Sequence, residues 1–111
     1  MSQEISQVRE KIQGIMSDIH NIIDTMIENA SIFVTRQNVS ENELKKTFNP
    51  LFNELERKTL EIMELLRPYG IKDRDIKHIK MAIKELRDLS MSTNDAELYD
   101  YFRSGLRFFE S

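Results

Sequence analysis

The stretch from Ile71 to Asp88, IKDRDIKHIKMAIKELRD, holds the side chains best suited to chemistry with a polyanion: Lys72, Arg74, Lys77, Lys80, Lys84 and Arg87. Lysine and arginine neutralise phosphates, and cations repeating every three or four residues align along one side of a helix. At 100° per residue, Lys77, Lys80, Lys84 and Arg87 fall within about 80° of one another, beside the apolar side. Carboxylates interrupt the stripe: Asp73 stands one turn before Lys77 and Asp88 one turn after Lys84, the spacing of ion pairs along a helix. No aromatic residue lies between the cations to stack on a base. A solvated helix face accounts for the stripe without a ligand, and nucleic-acid binding through Lys72, Arg74, Lys77, Lys80, Lys84 and Arg87 is the alternative reading.

Metal and catalytic chemistry find less support. His20 and His78 are too few for a three-histidine metal site, and a di-iron bundle needs two Glu-x-x-His pairs where the chain offers Asp75-x-x-His78 alone. His20 and Asp24, one turn apart, read as surface neighbours. Glu54, Glu61 and Glu64 interleave with Arg57 and Lys58, which is the pattern of a wet helix face and not of an acid/base pair. Gly14, Gly70 and Gly105 are isolated and cannot build a phosphate-cradling loop. There is no cysteine, which removes disulfides, thiolate nucleophiles and Cys-ligated clusters together. The expectation is a protein that is not an enzyme and has no metal and no cofactor.

The elements that carry these residues are helices. In the first segment Ile5, Val8, Ile12, Ile15, Ile19, Ile22 and Met26 alternate three- and four-residue steps, the a/d seam of a coiled coil, with Phe33 continuing it after Asn29. This predicts a helix over 3–36, about 50 Å long at ~1.5 Å per residue. Its apolar stripe is narrow as far as Met16. From Ile22 onward Ile23, Ile27, Ala30 and Val34 widen it to about 160°, so the second half needs two neighbours and the first half one, from this chain or another copy. Asn29, at a seam position, is placed to set the register of a symmetric pair.

Ser40 with Glu43 three residues on is a capping box, and Val39 precedes it as a staple residue. The next helix covers 41–67 with a break or kink near Pro50; a short helix followed by a longer one capped at Asn49 is favoured, the two pieces sharing one buried side. Pro68 and Gly70 end it. Asp73 is the expected cap of a third helix over 74–90, with Ile76, Ile79, Ala82, Ile83, Leu86 and Leu89 inward. Asn94 with Glu97 marks a fourth helix over 95–110, rich in aromatic residues: Tyr99, Tyr101, Phe102, Phe108 and Phe109 spread over about 180° of its circumference. That spread fits either an interface or a helix lying in a groove with both flanks buried. Gly105 permits close approach of a neighbour.

The segment GIKDRDIKHI resembles the second half of a helix-turn-helix, with Gly70 in the turn and Ile71, Ile76 and Ile79 at the packing positions. The resemblance implies that Lys72, Arg74, Lys77, His78 and Met81 face DNA. It covers about a dozen residues of the motif's second half. Leu66 stands where the motif wants a small side chain, Pro68 interrupts the preceding helix, and Asp73 and Asp75 stand where phosphates approach.

A chain of 111 residues fits one domain, and its 40% hydrophobic, 32% charged composition suits a compact helical protein. No run approaches the roughly 18 apolar residues of a membrane span, and MSQEISQVREK lacks a signal peptide's apolar stretch, so a cytoplasmic chain without membrane contact is expected. The net charge of −3 argues against a broad electropositive field. Met16, Met26, Met63, Met81 and Met91 lie in different segments, and core gap-filling is the expected use, against an apolar-ligand site.

Together these observations predict an all-α, up-and-down four-helix bundle of unequal helices with more apolar helical face than its members cover. The function expected is a non-catalytic protein–protein interaction or scaffold module, a homodimer or other homo-oligomer with a possible further protein partner. Self-association is expected through Ile5, Val8, Ile12 and Ile15 on the first helix and Tyr101 and Phe108 on the last.

Overall fold

A computed structural model describes residues 2–36, 39–90 and 96–108. Four helices form an up-and-down bundle: α1 (Ser2–Thr35), α2 (Glu41–Leu66), α3 (Asp73–Ser90) and α4 (Ala96–Phe108). Each packs against its chain neighbours, and α4 closes the ring against α1. No strand occurs among the described residues.

The connections follow from local chemistry. Ser40 caps α2 by accepting the Glu43 amide at 3.2 Å, and Val39 packs on the core behind it. Glu43's carboxylate pairs with Arg36 at the end of α1, at 3.2 Å, tying the two helix ends together. At the other end of α2 a 3₁₀ turn, Arg67–Tyr69, leads to Gly70, whose φ of 116° is left-handed and closes the turn.

Three expectations need correction here. α2 is one helix and does not break at Asn49: Pro50 lies within it on the exposed side. Phe48, Leu51, Phe52 and Leu55 keep one continuous apolar side, and their burial outweighs the one hydrogen bond Pro50 cannot make to Lys46. Asp73 does not cap α3. It lies in the helix and pairs with Arg67 at 2.9 Å, while Asp75, three residues after Lys72, reaches back to accept the Lys72 amide at 2.9 Å. Met81 does not fill the core but stands 53% exposed, whereas Met26 and Met63 are buried as expected. The Asn94 cap, Met91, Asp95, Phe109 and Glu110 lie outside the described residues.

The core is widest where all four helices overlap. Phe48 meets Phe102 edge-on with ring centroids 5.5 Å apart, and Phe33 and Phe52 flank that pair at 5.8 and 6.1 Å. Ile23, Met26, Ala30, Leu55, Ile83 and Leu106 complete it. Gly105 lets α4 approach α3 so closely that a Cβ there would overlap the Leu86 side chain. The unequal lengths make the molecule 55 × 24 × 21 Å. α4, about 20 Å long, ends where Arg107 reaches Asp24 of α1 at 3.3 Å, so about 28 Å of α1, from Ile5 to Asp24, extends past it.

Candidate interaction surface

The taper of the bundle decides what is left exposed. On α1 the stripe facing α4 is sealed at Ile23 and Ala30, both 0% exposed, is half-buried at Met16 and Ile12, and reaches 49% exposure at Ile5. α2 runs antiparallel beside α1 and covers its other flank further down: Lys58 bonds Asp18 at 3.0 Å, and Leu66 arrives beside Val8. Between the helices opens a cleft of about 290 Å³, walled by Ile5, Val8, Ile12, Leu66 and Tyr69 with Arg9 and Gln13 on its rim. Tyr69, in the 3₁₀ turn, is 53% exposed there.

Of the self-association residues expected from the seam, the structure brings Ile5, Val8 and Ile12 together in this cleft. Ile15 belongs instead to the protein's own core, buried where α2 crosses α1. Tyr101 and Phe108 lie on the outer side of α4, 60% and 69% exposed, apart from the cleft; Phe102 and Leu106 take that helix's inward positions. A groove that buries both flanks of the aromatic helix within the chain is not what forms, since Phe102 and Leu106 are sealed while Tyr101 and Phe108 are exposed. Leu66 and Tyr69 escaped the sequence reading because they reach the cleft from another element, through an antiparallel register that no single-helix pattern reveals. The one local signal was an aromatic residue between Pro68 and Gly70, exposed by the turn that those two impose.

Asn29 is half-buried, and its amide donates to the Thr25 carbonyl at 2.8 Å within α1. The seam's polar residue is thus satisfied inside its own helix.

The basic stripe is laid out on α3. Lys72, Arg74, Lys77, Lys80 and Lys84 are exposed and make no ion pair with a carboxylate among the described residues. The neutralisation expected from spacing is not seen: Asp73 pairs with Arg67, and Asp88 leaves Lys84 alone. Arg87 departs from the stripe. It is half-buried, donates to Asn53 at 3.0 Å, stands 3.9 Å from Glu56 and lies over the Phe52 ring. Two exposed arginines are tied down elsewhere. Hydrogen bonds that Arg67 donates to Glu64 and then to Asp73 raise its pKa, and those that Arg57 donates to Glu54 do the same there, so both stay cationic.

Candidate metal positions do not assemble. Asp24 faces Arg107 while His20 is half-buried with its Nε2 sealed from solvent, and no group of three His, Cys, Asp or Glu side chains able to hold a metal occurs among the described residues. No described helix is long and apolar enough to cross a membrane. Comparison of the chain with protein-family models, curated proteins and solved structures gives no significant match.

Proposed function

We propose that this protein is a non-catalytic interaction module that self-associates through the inner face of the first half of α1. The supporting observation is the exposure gradient on one stripe, from fully buried Ile23 to half-exposed Ile5, which ends in the apolar cleft beside Leu66 and Tyr69. A second surface placed there recovers apolar burial at about 25 cal/mol per Å² without rearranging the bundle. Light scattering across a dilution series tests the reading. The expected result is a dimer whose dissociation constant rises at least about tenfold on Ile5→Glu, because a carboxylate cannot enter the cleft without a partner. A monomer of 13.2 kDa at every concentration sinks it.

The free cations of α3 favour a second reading, a small dimeric nucleic-acid-binding protein using Lys72, Arg74, Lys77, Lys80 and Lys84. On that reading duplex binding weakens steeply with salt and is lost in the triple charge reversal of Lys77, Lys80 and Lys84. Absence of salt-dependent binding in the native chain removes it.

A further inference from the structure

On α3, Lys77, Lys80 and Lys84 fall within about 60° of one another and rise about 10 Å along the helix. All three are exposed and none meets a carboxylate among the described residues, whereas Lys45, Lys58 and Arg103 are each tied to one. The carboxylates beside the stripe are held by arginines instead. Arg67 binds Glu64 at 2.8 Å and Asp73 at 2.9 Å at one end, and Arg87 stands 3.9 Å from Glu56 at the other. Lys77 and Lys80 share a groove with Leu60 and Arg67, so the stripe is one edge of a face that α2 and α3 build together.

This face suits few partners. Ile76, Ile83 and Leu86 are buried inward, and Met81, 53% exposed, stands about 70° round the helix from the centre of the stripe, so the lysines surround no apolar anchor for a protein or a lipid layer. No aromatic residue stands among them to stack on unpaired bases. Base edges are out of reach as well. Two packed helices present a face about 20 Å wide, and a major groove of about 12 Å admits one helix. The free cations of the stripe are lysines, point charges without the fork that reads a base, and the two arginines beside it are engaged. The phosphate backbone remains: one strand carries a charge per about 3.4 Å of axis, so the stripe spans about three.

Resting on the nucleic-acid reading above, we infer that the α2–α3 face binds duplex of any sequence through phosphates alone. Lys77, Lys80 and Lys84 make the contacts, while Arg67 and Arg87 are positioning residues that hold Glu64, Asp73 and Glu56 off the strand. Asp88, one turn past Lys84, is a carboxylate near the stripe without such a guard among the described residues.

Fluorescence anisotropy of the full chain with two short duplexes of unrelated sequence tests this. Both should bind equally within about twofold, and log affinity should fall against log salt with a slope of about −2.7, or about 40-fold between about 50 and 200 mM. Lys80→Gln should bring that slope to about −1.8 on both duplexes. Arg67→Gln removes none of the three contacts, so it should weaken binding several-fold at an unchanged slope, and adding Asp73→Asn should restore part of the loss. Asp88→Asn should tighten binding. No binding of either duplex at about 50 mM salt removes the nucleic-acid reading and this inference with it. A preference above about tenfold between the duplexes, or a slope that Lys80→Gln leaves unchanged, overturns phosphate-only contact and leaves that reading standing. Arg67→Gln binding as tightly as the native chain overturns the guarding role. Tighter binding to polyglutamate or to vesicles of anionic lipid than to duplex gives the face to another acidic partner and overturns the inference.

Discussion

Ile5 and Ile23 are the same side chain on the same stripe of one helix, yet one is half in water and the other is sealed. Their truncations should therefore separate folding from assembly. Ile23→Ala removes a fully buried branch from the densest part of the core and is expected to cost about 2–5 kcal/mol in urea denaturation. Ile5→Ala should change the stability of the dilute monomer by less than about 1 kcal/mol while weakening association. Tyr101, 60% exposed on the outer side of α4, should accept Ser within about 0.5 kcal/mol. Gly105 is the opposite kind of position: Gly105→Val drives a branched side chain into Leu86 and is expected to cost about 1–3 kcal/mol, read as a fall in the denaturation midpoint.

At the scale of the element, α2 holds a residue that works against it. Pro50 leaves the Lys46 carbonyl without its amide partner on the wet side of a continuous helix. Pro50→Ala should stabilise the protein by about 1–2 kcal/mol, the restored bond and propensity being partly offset by the freer unfolded chain. Calorimetry checks it; a loss of stability would mean that Pro50 shapes the helix in a way its exposed position does not suggest. The misplaced break shows where sequence reading fails. Proline's local preference was legible, but the energy of the apolar side running through Phe48, Phe52 and Leu55 is a property of packing against α1, α3 and α4. The extent of α1, the Ser40 cap and the Gly70 turn were legible because short-range geometry decides them. Half the cleft was not, because Leu66 and Tyr69 meet Ile5 only through antiparallel register.

At the scale of the whole molecule, the unequal helix lengths couple stability to concentration. If the dimer is part of the native state, the melting temperature should rise by several degrees over a hundredfold increase in protein, and Ile5→Glu should abolish the dependence. Salt should hardly affect it, since the contact is apolar and the charges of the first turns balance. The exposed lysines of α3 allow an independent check. Reversing Lys77, Lys80 and Lys84 should leave the melting curve's concentration dependence unchanged, because none of them borders the cleft.

The taper of the bundle also makes α1 a graded ruler of local opening. Its backbone amides near Ile23 can exchange with solvent deuterium only when the whole fold opens, whereas those of the first turns exchange through fraying, with little tertiary packing to resist it. Protection factors should climb along this one helix in dilute solution and level out toward its start as copies pair.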